Sequence, residues 1–135
     1  MKKKLNSILL VDDDPDDNYY HHLIIDKMNM VNKIDVAVNG IDALAYLENE
    51  MNMPPDIIFL DLNMPKMNGW EFLERYKNLS MAQKAKVVIV ILTTSANPDH
   101  IKRAKEIQEV TGFATKPLSK ELLTEILEQH FQDYL

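Results

Sequence analysis

The segment IIFLDL, residues 57–62, places four apolar residues directly before Asp61. The run Ile57 to Leu60 is apolar throughout instead of alternating with polar residues, and Val87 to Leu92 has the same character. Continuous apolar runs of this length are typical of parallel strands that are covered by helices on both faces. These two runs therefore predict a parallel sheet inside an α/β domain.

Three further short apolar runs complete the predicted sheet: Ile8 to Val11, Ile34 to Val38 and the weaker Phe113 to Thr115. Segments with helical periodicity separate the five strands, and the last of them runs from about Lys120 to Phe131. The order is therefore five β–α units. Right-handed crossovers between parallel strands give a doubly wound sheet with helices on both sides.

Composition limits the class of protein. From 135 residues and 46% hydrophobic content, we expect residues 1–135 to form one domain, with no segment left for an output domain. The net charge of −6 disfavours binding to nucleic acid or to an anionic membrane. The absence of cysteine excludes disulfides, thiolate zinc sites and a cysteine nucleophile. The first apolar run is too short for a secretory signal or a membrane span, so we expect a soluble cytoplasmic protein.

Polar residues follow four of the predicted strands. Asp12 and Asp13 follow the first strand, Asp61 the third, Thr93 the fourth and Lys116 the fifth. In sheets of this kind the ligand site lies beyond the carboxyl ends of the strands, so these side chains are expected to converge. Taken alone, the Asp12–Asp13 pair is typical of a solvated strand end. The combination indicates a site.

The chemistry of this set favours a metal ion and a phosphoryl group. Carboxylates from two strands that meet would raise each other's pKa unless a cation joined them, and all-oxygen ligands suit Mg²⁺ or Mn²⁺. A carboxylate can attack phosphorus and form an aspartyl phosphate. A metal ion, a lysine and a hydroxyl then supply counter-charge to the oxygens of the transferred group.

The chain also resembles a known family over essentially its whole length. The stretches ILLVDDDP, NGIDALAYL, PDIIFLDLNMPKMNGWEFL, VIVILTTSA and GFATKP are similar to those of the receiver domains of two-component response regulators, particularly the stand-alone CheY-like type. The resemblance implies a flavodoxin-like (βα)5 fold with strand order 2-1-3-4-5.

The resemblance also implies a role for individual residues. Asp61 corresponds to the phospho-acceptor, Asp12 and Asp13 to the acidic pair that binds the metal with it, and Asn63 to a backbone carbonyl ligand. Asp13 is expected to bind the metal directly and Asp12 through water. The other implied positions are Thr93 and Lys116 in the phosphoryl site, Phe113 as the switch aromatic that acts with Thr93, and Pro117 after a cis peptide bond. One departure is Thr94, where a smaller residue is commoner in the family.

By resemblance, a sensor histidine kinase or a histidine phosphotransfer protein would transfer a phosphoryl group to Asp61. The donor would dock near Tyr19, Tyr20, His22 and the loop after Lys116. The chain would support its own phosphorylation and dephosphorylation, without turnover of a separate substrate.

Output would pass through the face made by the fourth helix, the fifth strand and the fifth helix, to a target protein or a second copy. That face has basic residues on one helix and acidic residues on the next: Lys102, Arg103 and Lys105, then Glu121, Glu125 and Glu128.

Two other functions remain as alternatives. One is an adaptor that acts without phosphate, and the other is a Mg²⁺-dependent phosphatase with an aspartate nucleophile, which the spacing Asp12-x-Asp14 imitates. Such a phosphatase needs a substrate-covering cap, for which the chain has no segment. The aspartate run also imitates a calcium loop, but Asp17 and Leu23 stand where that loop requires glycine and glutamate.

The other aspartates of the run are interpreted as structural. Asp14 precedes Pro15 and is therefore expected to cap the first helix, with proline at the first helical position. Asp16 and Asp17 would lie in the first turn, where the helix dipole favours negative charge. Further along the same helix, His21 and His22 point about 100° apart and are interpreted as solvated polar positions.

Overall fold

The computed structural model describes residues 3–84, 87–94 and 97–135. Five parallel strands form one sheet in the order β2-β1-β3-β4-β5, which confirms the predicted fold and strand order. The strands are β1 (Leu5–Val11), β2 (Val31–Ala37), β3 (Ile57–Leu60), β4 (Val88–Thr93) and β5 (Val110–Thr115).

Six helices connect or flank the strands. They are α1 (Pro15–Lys27), α2 (Gly40–Glu48), α3 (Gly69–Tyr76), the single turn α4 (Met81–Lys84), α5 (Pro98–Lys105) and α6 (Lys120–His130), and a 3₁₀ turn, Gln132–Tyr134, follows. The turn α4 was not predicted, so the fourth and fifth helices of the sequence analysis are α5 and α6. None of the helices in the described ranges is both long and apolar enough to cross a membrane.

The helices cover the sheet on two sides and bury two apolar clusters. On one side α1 and α6 contribute Ile25, Leu123 and Ile126 to a cluster with inward-facing residues of the strands. On the other side α2, α3 and α5 contribute residues such as Leu44 and Phe72. Strands β3 and β4 are buried at every position, which is the physical reason for their uninterrupted apolar sequences.

Three strands begin earlier than predicted. β1 starts at Leu5, β2 at Val31 and β5 at Val110, each three residues before the predicted start. In β1 two polar residues follow Leu5 and separate it from the apolar run. β2 and β5 are edge strands whose residues are mostly half-buried or exposed, so their sequences mix polar with apolar residues and the apolar run marks only part of each strand. The last helix ends at His130, and Phe131 packs into the core as its C-terminal cap residue.

The entry into α1 forms as predicted. The side chain of Asp14 accepts hydrogen bonds from the backbone N–H groups of Asp16 at 2.8 Å and Asp17 at 3.2 Å, and Pro15 occupies the first helical position. The cap turns the chain sharply away from β1. It therefore keeps the start of α1 beside the end of the strand that carries Asp12 and Asp13.

Candidate functional site

The acidic residues of the site lie where β1 and β3 end. The backbone N–H of Asp12 donates to Ala37 at 3.0 Å, and that of Asp61 donates to Val11 at 2.9 Å, so both residues continue the pairing of the sheet. Asp12 and Asp61 are buried, with 4% and 7% of their surface exposed, whereas Asp13 is exposed. The ends of two neighbouring strands thus bring together carboxylates that are far apart in the sequence.

One carboxylate oxygen from each of Asp12, Asp13 and Asp61 lies within 4.8 Å of the other two. Three carboxylates at this separation repel one another unless positive charge joins them, and hard oxygen ligands of this kind suit Mg²⁺ or Mn²⁺. The donor set therefore fits a divalent cation. Asn63, two residues after Asp61, lines the same cleft and is in the position proposed for a backbone carbonyl ligand.

Burial raises the pKa of Asp61 from an ordinary value of 3.8 to about 6, and the charge of Asp12 adds to the effect. Lys116 and the backbone N–H groups of Asn63 and Leu62 lower the pKa of Asp61, but they do not cancel the rise. The carboxylate that the resemblance identifies as the acceptor is therefore held in an unfavourable environment in the absence of a metal ion. A divalent cation would relieve that cost.

Lys116 follows β5 and points its ammonium group into the acidic cluster. Its Nζ lies 2.6 Å from Asp12 Oδ2, 2.8 Å from Asp17 Oδ2 and 3.8 Å from Asp61 Oδ1. Burial acts to lower the pKa of Lys116, but the hydrogen bonds to Asp12 and Asp17 outweigh it and the pKa is raised. The lysine is therefore a permanent cation at the site. The peptide bond between Lys116 and Pro117 is cis.

Two residues of α1 belong to the site although the sequence analysis gave neither a role there. Asp17, interpreted only as a first-turn acid, forms the ion pair with Lys116, and Asn18 donates from Nδ2 to the backbone oxygen of Asp12 at 2.8 Å. His21 was interpreted as solvated, and that is wrong: it is 3% exposed, while His22 is exposed. Since His21 lies one helical turn after Asp17, this face of α1 packs inward beneath the site.

Burial lowers the pKa of His21, and the positive charge of Lys116 lowers it further. The nearby acids Asp17 and Asp12 oppose this, but the net pKa lies below the ordinary value of 6.5. The imidazole is therefore neutral at neutral pH. A signal for this inward face existed in the sequence, because residues four apart on a helix share one side.

The two threonines after β4 are placed differently. Thr93 is 2% exposed, and its backbone oxygen accepts a hydrogen bond from the N–H of Lys116 at 2.6 Å. Thr94 is exposed and lines the acidic cleft, which has a volume of about 440 Å³. Thr94 is thus the threonine that reaches the cleft in this conformation, and Thr93 lies beneath it.

Phe113 lies on β5, away from the acids. It is half-buried and lines a separate apolar cavity of about 250 Å³ together with Ile101 and Ala104 of α5. The neighbouring strand partner of Phe113 is Ile91, two residues before Thr93. The charged side chains predicted on this face are exposed: Lys102, Arg103, Lys105, Glu121, Glu125 and Glu128.

The residues expected to meet a donor protein lie on the other side of the cleft. Tyr19 and Tyr20 are 69% and 45% exposed, and His22 is also exposed. Tyr19 and His22 line a mainly apolar groove with Val36 and Val38 of the β2 edge, and the groove begins at Asp13.

Comparison with known proteins places this site in a family. The response regulator receiver domain matches residues 8–128. The chain is 32% identical over 107 residues to the probable methanogenesis regulatory protein FilR2 of Methanothrix harundinacea, covering 77% of this chain and 67% of that protein. It also matches protein-glutamate methylesterases, of which it spans about a quarter of the length.

Solved structures show the same fold. A two-component response regulator from Cytophaga hutchinsonii superposes with a TM-score of 0.85 at 29% identity, covering 96% of this chain and 99% of that one. The Mn²⁺-bound form of the response regulator Rcp1 superposes with a TM-score of 0.70 at 29% identity, covering 92% and 90% of the two chains.

Proposed function

The chain belongs to the response regulator receiver domain family, and from this premise we propose that Asp61 accepts a phosphoryl group from the phosphohistidine of a histidine kinase or histidine phosphotransfer protein. An oxygen of the Asp61 carboxylate attacks phosphorus, the P–N bond breaks, and the histidine nitrogen keeps the electron pair. Attack by water later breaks the new bond to phosphorus, which releases inorganic phosphate and restores the carboxylate.

One observation carries this proposal: three carboxylates and one ammonium group converge beside a single cleft. Oxygens of Asp12, Asp13 and Asp61 lie within 4.8 Å of one another, and Lys116 Nζ is 3.8 Å from Asp61 Oδ1. A site with so much negative charge and one cation is arranged to bind a divalent metal and then an anionic group. A phosphoryl group on Asp61 is the anion that this arrangement fits.

Each residue of the site has a separate role in the proposed reaction. Asp12, Asp13, Asp61 and the backbone carbonyl of Asn63 would hold Mg²⁺ or Mn²⁺. When bound, the metal supplies positive charge beside the phosphoryl oxygens. Lys116 donates a hydrogen bond from Nζ to a phosphoryl oxygen. The Nζ already lies near Asp61 without pairing closely with it, so this donor is available.

The groove lined by Tyr19, His22, Val36 and Val38 supports docking of the donor protein on the α1 side of the cleft. It is apolar, it opens to solvent, and it begins at Asp13, so a helix that rests there can present a phosphohistidine to Asp61. Exposed apolar surface beside a charged cleft is typical of a protein contact.

Output would pass through α5, β5 and α6. The added charge on Asp61 draws the Thr93 hydroxyl toward it, which vacates space next to Phe113 on the neighbouring strand. The cavity that Phe113 lines with Ile101 and Ala104 supports an inward turn of this ring. The exposed basic and acidic side chains of α5 and α6 would then meet a target protein or a second copy in a changed arrangement.

Labelling by acetyl phosphate tests the proposal. With Mg²⁺, intact-mass spectrometry should show one added phosphoryl group on the wild-type chain and none on Asp61→Asn. Removal of Mg²⁺ with EDTA should abolish labelling, and Asp16→Asn, which changes an exposed acid of α1, should still be labelled. Equal labelling of Asp61→Asn and the wild type would refute the assignment of Asp61 as the acceptor. No labelling of the wild type would favour a phosphate-independent adaptor.

A nuclear magnetic resonance (NMR) experiment tests the output pathway separately. Beryllofluoride, a phosphoryl mimic, should shift resonances from Asp61 as far as Phe113 and α5. Thr93→Ala should still bind the mimic but lose most of the distant shifts. Distant shifts that persist unchanged in that variant would show that Thr93 does not couple the two regions.

A further inference from the structure

The ammonium group of Lys116 is shared between the phosphoryl site and a residue outside it. We propose that Asp17 is a positioning residue that holds Lys116 back from Asp61 and so weakens retention of a phosphoryl group. This inference rests on the proposed function, because it concerns how strongly that site holds the transferred group.

The distances show where the lysine is held. An ammonium group has three N–H donors, and Nζ of Lys116 makes close contacts with Asp12 at 2.6 Å and Asp17 at 2.8 Å. The 3.8 Å separation from Asp61 Oδ1 is too long for a hydrogen bond. The carboxylates of Asp12 and Asp17 thus bind the ammonium group closely, and Asp61 makes the longest and weakest of the three contacts with it.

Asp17 is fixed in place by the start of α1. Its backbone N–H donates to the capping side chain of Asp14 at 3.2 Å, which sets the direction of the first turn. The Asp17 side chain is 35% exposed, whereas that of Lys116 is 9% exposed. The Asp17 end of this pair is open to water, so a stronger anion at Asp61 can compete with Asp17 for the ammonium group.

A phosphoryl group would be such an anion. It carries more negative charge than the carboxylate it modifies, and its oxygens extend from Asp61 toward the cleft where Lys116 lies. Asp17 then competes for the same ammonium group and also adds repulsion. Removing the Asp17 charge leaves Asp12 as the one carboxylate in close contact with the ammonium group and lowers that repulsion, and both changes strengthen binding of an anion at Asp61.

A different role for Asp17 is possible from its position alone, since an acid in the first turn favours the helix dipole. Asp16 separates the two roles. It lies in the same turn and is exposed, and among the described residues it forms no ion pair with Lys116. A dipole effect should appear for both residues, whereas a hold on the lysine should appear for Asp17 alone.

The first experiment measures beryllofluoride binding at saturating Mg²⁺ by fluorine NMR. Asp17→Asn should lower the dissociation constant roughly three- to tenfold, since each tenfold corresponds to about 1.4 kcal/mol of electrostatic gain. Asp16→Asn should stay within about twofold of the wild type, the range expected for an exposed charge. In a Lys116→Met background the Asp17→Asn effect should fall to less than half.

The second experiment uses urea unfolding in EDTA, where no metal or anion is bound. With Lys116 present, Asp17→Asn should lower the unfolding midpoint because the ion pair is lost. With Lys116→Met it should leave the midpoint unchanged or raise it, because one of several repelling carboxylates is removed. Equal losses in the two backgrounds would mean that Asp17 acts only on the helix, and would overturn the inference.

The outcomes separate this inference from the proposed function. If the wild type binds beryllofluoride and Asp17→Asn binds it no more tightly than Asp16→Asn does, the role of Asp17 is refuted while phosphoryl acceptance stands. If the wild type and all variants fail to bind it, phosphoryl acceptance is refuted, and the inference that depends on it fails as well.

Discussion

Replacement of Asp61 by asparagine should stabilise the metal-free protein at neutral pH. Burial and the charge of Asp12 raise the pKa of Asp61 from 3.8 to about 6, so an ionised carboxylate at this position opposes folding. The difference corresponds to about 3 kcal/mol, at about 1.4 kcal/mol per pKa unit. An amide only approximates the hydrogen bonds of a protonated carboxyl group, so we expect a gain of about 1–3 kcal/mol.

The gain should depend on pH in a defined direction. Between about pH 4 and pH 6 the folded chain keeps a proton on Asp61 that the unfolded chain has released, so the free energy of unfolding falls as the pH rises. Above pH 6 the full cost is present. At pH 5 about half of the advantage of Asp61→Asn should remain, and at pH 4 only about a fifth of it.

Urea unfolding followed by circular dichroism, in EDTA at pH 8, 5 and 4, measures this dependence. Asp16→Asn removes the same formal charge from an exposed position and is the matched control, with an expected change within about 0.5 kcal/mol. Saturating Mg²⁺ should stabilise the wild type and have little effect on Asp61→Asn. Destabilisation by Asp61→Asn at pH 8, or a gain that does not change with pH, would refute the electrostatic reasoning.

Three further results are expected. Asp13→Ala should weaken Mg²⁺ binding at least tenfold, because its oxygen is part of the carboxylate cluster. Asp14→Ala should mainly lower stability, by about 1 kcal/mol, through loss of the helix cap. Comparable losses of Mg²⁺ affinity in the two variants would contradict this division. The single tryptophan, Trp70, packs 4.3 Å from the guanidinium of Arg103 in α5, so beryllofluoride should change its fluorescence. An unaltered change in Arg103→Ala would exclude the contact with Arg103 as its source. Gly69→Ala should destabilise the fold by more than about 1 kcal/mol, because the new methyl group would lie 2.6 Å from the backbone oxygen of Asp61. A neutral result by urea unfolding would count against this close packing.

The sheet could be predicted because burial on both faces leaves a clear pattern. β3 and β4 are apolar at every position before the threonine that ends β4, and their sequences show it. Edge strands carry less of this signal, so the starts of β2 and β5 were missed. The start of β1 was missed because two polar residues interrupt its apolar sequence. The single turn α4 buries none of its residues, so no apolar periodicity indicated it.

The ends of the strands predicted which side chains meet, but not how they pair. The convergence of Asp12, Asp13, Asp61 and Lys116 follows from parallel strands ending at one edge of the sheet. The pairing of Lys116 with Asp17 depends on how α1 is rotated over the sheet, and these residues are 99 positions apart. The burial of His21 depends on the same rotation. Spacing along a helix shows which residues share a face, but not toward which neighbour that face turns.

The identity of the acceptor is the central claim, and chemical mapping of the phosphorylated residue tests it most directly. After labelling with acetyl phosphate and Mg²⁺, borohydride reduces an aspartyl phosphate to homoserine, which marks the modified position in a peptide spectrum. We predict homoserine at position 61 and aspartate at positions 12 and 13. Homoserine at position 12 or 13 with unmodified Asp61, or no homoserine in a labelled chain, would contradict the account.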